Sequence, residues 1–297
     1  MKDYYIEFSE YLKKQKSNSV NTIESYLRDV NSFLSYLISI KLPSPLKATE
    51  EVVTDFVEQL KENGKSNSTI SRNISSVRCF YKFLMFIGIS ERNPAKAVKI
   101  EKSEKKLPQV LDGEEIERLL SLPSLVDPKG CRDKAMLELL YGTGIRVSEL
   151  INLNISDINL RNSTIMCTSG KSKRIIPVHA TAIVAVSDYI YRMRTIMIED
   201  NSQQALFVNL NGTRLTRQGF WKIIKSYASV AGINKELTPH TLRHSFALHL
   251  LENGADVEDI QTMMGHADIS STQIYVQLLD NHTKTVYNEC HPRARKI

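Results

Sequence analysis

Among the side chains from residue 146 onward, Arg146, Lys171, His240, Arg243, His266 and Tyr275 are of types that act on an anion. The arginines offer permanently charged, paired N–H donors, the lysine carries a proton to give, the histidines exchange protons near neutrality, and the tyrosine is a nucleophile. No paired carboxylates accompany them. The set therefore suits a phosphodiester attacked without a metal. Taken singly, each residue also has an ordinary structural reading, as a surface ion pair, a solvated hairpin lysine or a packed aromatic.

The stretch "TPHTLRHSFALHLLENGAD", 238–256, reads as one helix. Thr238 is a fitting N-cap, Pro239 suits the first helical position, and Gly254 ends the run after Asn253. Leu242, Phe246 and Leu250 line one face, while His240 and Arg243 share another in the first turns, where the helix N-terminus favours anions. His240 and His244 do have a zinc spacing. However, Thr241 stands where an HExxH site needs its glutamate, and no cysteine or carboxylate cluster lies nearby as a third ligand, so no metal is expected.

In "LLYGTGIRVSELINL", 139–153, Gly142 and Gly144 interrupt an apolar pattern that resumes at Val147, Leu150 and Ile151. Arg146 and Glu149 are three apart, so the carboxylate can orient the guanidinium. "STIMCT" and "RIIPV" flank "SGKSK" as a hairpin with Lys171 at its tip. It is not a phosphate-binding P-loop, because position 165 is Ile and a strand follows where a helix would be needed. In "MMGHADISSTQIYVQL", 263–278, Gly265 closes a helix, His266 follows in the joint, and a new helix that begins near Ser270 to Thr272 places Tyr275 one turn inside.

Residues 1–92 carry helical spacing: Ile23, Leu27, Val30, Phe33, Leu34 and Leu37 in one stretch, and Ile70, Ile74, Val77, Phe80, Tyr81 and Leu84 in another. A bundle of about four helices is expected. "NPAKAVKIEKSEKKLPQVL", 93–111, is lysine-rich without an apolar face and reads as an exposed linker that could lie along a nucleic-acid backbone. Beyond it the chain is mainly α with a small sheet, to which "ALFVN", 205–209, adds another β-type run. The net charge of +6 leans mildly toward a polyanionic partner. The four cysteines, Cys79, Cys131, Cys167 and Cys290, form no CxxC pair and read as buried or incidental thiols. With no signal peptide or membrane span in view, a cytoplasmic protein is expected.

At these residues the chain closely resembles the tyrosine recombinase (phage integrase) family, in particular the Xer-type site-specific recombinases of bacteria. The likeness is carried by "LLYGTGIRVSELINLNISDINL", "GKSKRIIPV", "TPHTLRHSFALHLLENGADVEDIQTMMGHADISSTQIYVQL" and "HPRARK". It extends to "TIESYLRDVNSFLSYL" and "TISRNISSVRCFYKFL" in the N-terminal part. The resemblance implies a mainly α fold with a small β-sheet, arranged as a two-domain DNA clamp. Residues 1–105 would be a helical, SAM-like core-binding domain, and 106–297 the catalytic domain with a protomer-docking tail from about 279 that includes Arg293, Arg295 and Lys296.

By the same resemblance Tyr275 would attack the scissile phosphate, giving a 3′-phosphotyrosyl bond and a free 5′-hydroxyl. His240 would accept the phenol proton, Arg146 and Arg243 would bind the non-bridging oxygens, Lys171 would protonate the leaving 5′-oxygen, and His266 would hydrogen-bond the phosphate. Glu149 would orient the arginines, and Arg72 and Arg78 would position the DNA backbone. No cofactor is implied. The partners would be duplex DNA with a bipartite site and a homo- or hetero-tetramer with a related recombinase exchanging strands through a Holliday junction. The family leaves room for a DNA-translocase activator, and no membrane is involved. Resolution of chromosome or plasmid dimers is the expected role. A mobile-element integrase shares the chemistry and differs through an added N-terminal arm domain not seen here, a topoisomerase would relax supercoils alone, and a non-cleaving binder would have lost Tyr275 or an arginine.

Overall fold

The computed structural model describes residues 2–15, 19–100, 108–169, 172–200, 202–235, 237–265, 272–276 and 278–279. The chain divides into two compact units, Met1–Lys105 and Lys106–Ile297.

The first unit is built from α1 (Lys2–Lys14), α2 (Val20–Ser39), α3 (Glu50–Glu62) and α4 (Asn67–Phe86). Ser19, Thr49 and Ser66 cap α2, α3 and α4 by accepting from the N–H three residues on, which satisfies donors that a helix start leaves open. The apolar spacing of α2 and α4 becomes a core in which Phe33 meets Phe56 and Phe8 meets Phe80, with ring centroids 5.2 and 5.3 Å apart. Buried Asp29 accepts from Arg72 (2.7 Å) and Ser76 (2.8 Å).

The segment 93–111 departs from an exposed linker at both ends. Ala95 and Val98 are buried in the first unit's core. The Arg78 guanidinium donates to their carbonyls at 2.8 and 2.5 Å, and Asn93 Nδ2 donates back to the Arg78 carbonyl. At the other end Leu111 is buried in the second unit, and its N–H donates to Ser245 Oγ at 2.8 Å. A few apolar residues anchor the ends of a segment whose lysines dominate its composition; residues 101–107 lie outside the described part.

The second unit contains α5 (Gly113–Ser121), α6 (Pro128–Thr143), α7 (Val147–Asn152), β1 (Ile158–Asn159), β2 (Thr164–Ser169), β3 (Ser172–Pro177), α8 (Ala180–Asp188), α9 (Thr195–Met197), α10 (Arg217–Val230), α11 (Pro239–Glu252) and α12 (Val257–Met264). A π-helical turn, Tyr189–Arg194, joins α8 to α9, and residues 272–276 are helical. Helix α6 is buried on most sides and packs against α5, α7, α8 and α11, and the charges it buries are paired, Arg132 with Asp133 and Lys134 with Glu138, each at 2.7 Å. The strands form one antiparallel sheet in the order β1-β2-β3, with Ile165 opposite Ile176 and Cys167 opposite Arg174. The hairpin thus runs further toward its tip than the flanking apolar runs indicate. The run 205–209 is not a strand of this sheet: it makes isolated bridges, Asn154 to Ala205 and Val208 to Arg214, and its side chains from Ala205 to Val208 are fully buried. Burial alone gives the same apolar run as a strand.

Gly144 caps α6 in the left-handed region at φ 58°, donating its N–H to Leu140 O. A Cβ there would lie 2.3 Å from Cδ1 of Phe246. Gly144→Ala combines backbone strain with overpacking, together roughly 2–4 kcal/mol. A fall of about 5–10 °C in the second unit's calorimetric transition is expected. An unchanged transition would show that the turn is more plastic than this packing implies.

Candidate active site

Arg146 stands where the chain leaves α6 and enters α7, at the N-cap position. The Glu149 carboxylate, one turn on, accepts the Arg146 N–H at 2.8 Å and Nη1 at 3.2 Å. Arg174, on β3, completes the group: its Nη1 and Nη2 each donate to one Glu149 oxygen at 2.8 Å. Burial works to raise the Glu149 pKa, yet the Arg174 hydrogen bond, the Arg146 N–H and the charges of both arginines hold it below the usual carboxylate range. A carboxylate this buried is stable because two cations share it.

The three arginines converge on the end of α12. Arg174 Nε donates to Met263 O (2.9 Å), Arg243 Nη2 to Met264 O (2.7 Å) and Arg146 Nη2 to Gly265 O (2.8 Å). These are among the carbonyls that a helix C-terminus leaves unpaired, and the negative end of the helix dipole suits the cations. Arg243, 4% exposed on α11, also donates through Nη1 to Gly144 O at the end of α6. Burial, with Arg146 nearby, lowers the Arg243 pKa to about 10, so it stays cationic at neutral pH.

Tyr275 is 1% exposed and packs with Phe246, Ala247, Ile260 and Met264. Its hydroxyl and His244 Nδ1 are hydrogen-bonded at 2.8 Å. Burial pushes the phenol up to about 12, against the pull of Arg243. Burial, with His240 and Arg243 nearby, takes His244 down to about 4. Both partners are therefore neutral at pH 7; with the phenol donating, the imidazole carries its hydrogen on Nε2. His240 is exposed, its ring centroid 6.3 Å from that of His244. Partial desolvation and the charges of Arg217, Arg243 and Arg146 lower its pKa.

The structure thus gathers Arg146, Glu149, His240, Arg243 and Tyr275 in the second unit, while Lys171 and His266 lie outside the described residues, as does the tail from 280. Arg72 and Arg78 already have protein partners, Asp29 and the carbonyls of Ala95 and Val98. Sequence reasoning missed two residues. Arg174 left a trace: the period of two puts it on the same strand face as buried Ile176, with exposed Ile175 between, and an arginine on a core face implies a buried acid. His244 shows in the sequence only a zinc spacing to His240, and nothing local to it points to Tyr275.

Residues 6–86 match the N-terminal SAM-like domain of phage integrases and residues 109–282 match the phage integrase family. The chain belongs to the phage integrase family, and it is a tyrosine recombinase, a DNA recombinase enzyme. It is 45% identical to tyrosine recombinase XerD of Oceanobacillus iheyensis, over 99% of this chain and all of that protein. With tyrosine recombinase XerD of Staphylococcus haemolyticus it shares 42% identity over 97% of this chain and 98% of the relative. Among solved structures, XerA recombinase is 31% identical with a TM-score of 0.55, covering 98% of this chain and 99% of that one. XerH recombinase bound to a palindromic difH substrate shares the fold at a TM-score of 0.73 and 21% identity, over 96% of this chain and 84% of that one.

Proposed function

We propose that this chain is a Xer-type site-specific recombinase that cuts and rejoins duplex DNA at a bipartite site, with Tyr275 as nucleophile, and resolves chromosome or plasmid dimers in the cytoplasm. The observation that carries this reading is the meeting of Arg146, Arg243 and Tyr275 beside the end of α12 in a chain whose XerD relatives match it end to end.

The Tyr275 oxygen forms a bond to the scissile phosphorus while the bond to the 5′-oxygen breaks. The phenol proton passes to a histidine, His240, and Lys171 supplies a proton to the departing 5′-oxygen. Arg146 and Arg243 bind the two non-bridging oxygens, where negative charge grows in the transition state, and His266 adds a hydrogen bond. The phosphotyrosyl bond retains the energy of the phosphodiester, so a second strand's 5′-hydroxyl reseals it without ATP. A phenol that titrates near 12 needs about 7 kcal/mol to ionise at pH 7, and a buried hydroxyl cannot reach DNA. The segment bearing Tyr275 must therefore shift when the site is loaded.

Residues 1–105 are the core-binding domain and 106–297 the catalytic domain in this reading. The tail from about 279 docks on a neighbouring protomer of a tetramer, formed with like copies or a related recombinase. The test is incubation in EDTA with nicked suicide duplexes carrying Xer-type bipartite sites, read on a denaturing gel. A protein–DNA adduct is expected with chelator present. An adduct that forms only when zinc or magnesium is restored overturns the metal-free mechanism, and stable binding to such sites without any adduct, both alone and with a related recombinase added, overturns the recombinase reading.

A further inference from the structure

The proposed chemistry leaves Arg174 without a role, although its side chain is 13% exposed and all three of its nitrogens are engaged. The Glu149 carboxylate has room for about four hydrogen bonds. Its Oε1 accepts from Arg146 Nη1 and Arg174 Nη1, and its Oε2 from the Arg146 N–H and Arg174 Nη2. Each oxygen thus serves both arginines. The backbone of Gly265 lies directly against the Arg174 guanidinium, where a Cβ would come within 2.8 Å of Nη1.

The electrostatics favour a division of labour. Were Arg146 the sole counter-charge of Glu149, the carboxylate would cancel the charge that Arg146 presents to a phosphate. With Arg174 in place, two cations share one anion, and Arg146, its side chain 34% exposed, keeps a net positive field. Resting on the recombinase reading, we propose that Arg174 is a positioning residue: it neutralises and orients Glu149, so that Arg146 is fixed in place yet retains its charge for the scissile phosphate, and it ties β3 to the end of α12 through Met263. Arg174 follows Lys171 by three residues, so the strand that leaves the lysine hairpin is also anchored to the arginine group.

The groups facing Glu149 are Arg146 from its own turn, Arg174 from β3, Cys167 from β2 and Arg243 from α11. Removing Arg174 takes away the largest influence holding the carboxyl down and leaves only Arg146 to oppose the upward push of burial. A protonated Glu149 loses its grip on Arg146, so cleavage by the variant falls more steeply toward acid than cleavage by the parent.

The experiment has two arms on the full-length chain. In the first, carbon-13 labelled glutamate reports the Glu149 titration in wild type, Arg174→Ala and Arg174→Lys, with Glu149→Gln for assignment. In the second, single-turnover cleavage of the suicide duplex is followed from pH 6 to pH 8, alongside DNA affinity. Arg174→Ala is expected to raise the Glu149 midpoint and to slow cleavage by about tenfold to a hundredfold, with the larger loss at pH 6 and affinity within about threefold of wild type. Arg174→Lys, which keeps the charge without the fork, falls between and retains the parental profile, a rescue that mere structural damage would not give. An unmoved Glu149 midpoint in both variants, or wild-type cleavage across this range in Arg174→Ala, overturns the proposal. A wild-type chain that forms no adduct counts against the recombinase reading instead, and the titration arm then decides alone whether Arg174 controls Glu149.

Discussion

Tyr275→Phe is expected to bind site DNA as the parent does and to form no covalent adduct, a loss of about 10⁴-fold or more that puts cleavage below detection on a denaturing gel. The substitution removes one oxygen and leaves the ring where it packs, among Phe246, Ala247, Ile260 and Met264. What disappears with the oxygen is the hydrogen bond to His244 Nδ1. Leaving that nitrogen unpaired costs about 1–3 kcal/mol, too little to unfold a domain with so large a core. The change therefore separates chemistry from folding. Persistence of an adduct at wild-type yield would transfer the nucleophile's role to another residue, and loss of DNA binding would mean that the His244–Tyr275 pair supports the DNA-contacting surface.

The parts of this molecule that were legible in the sequence are those whose partners are close along the chain. The apolar period of α2 and α4, the Thr238 cap with Pro239 behind it, and the Arg146–Glu149 spacing all depend on neighbours within about one helical turn. Arg174 finds Glu149 across 25 residues and His244 finds Tyr275 across 31, and no local period encodes either meeting. The segment 93–111 misled for a related reason. Its lysines set its composition, while Ala95 and Val98 at one end and Leu111 at the other set its placement, and anchors this widely separated form no continuous apolar face. At 205–209 the apolar run reads as β-type, yet it is a buried connection with isolated bridges, and a buried connection and a buried strand have the same appearance in sequence.

The convergence of three arginines on Met263, Met264 and Gly265 makes their loss unequal. Arg243 is the extreme case, since it is the most buried of the three and joins the ends of α6 and α12 through Gly144 O and Met264 O. In Arg243→Lys a single ammonium on a flexible stem replaces the planar fork, so the charge remains while the two carbonyls can no longer be bridged in one geometry. Hydrogen bonds to charged groups contribute about 1.5–3 kcal/mol each, so weakening one of the two should lower stability by about that amount. Cleavage should fall further, by about 10²–10³-fold, as for a lost oxyanion donor, because the fork that would hold a phosphate oxygen is also the fork that docks the helix ends. Arg146→Lys is the comparison: its side chain is 34% exposed and bound to one main-chain carbonyl and to Glu149, which Arg174 also holds, so its rate should fall while its unfolding temperature stays close to the parent's. Thermal unfolding and single-turnover cleavage on the two variants distinguish these outcomes. Equal stability losses would mean that the α6 contact of Arg243 carries little weight, and a fully active Arg243→Lys would remove this arginine from the transition state.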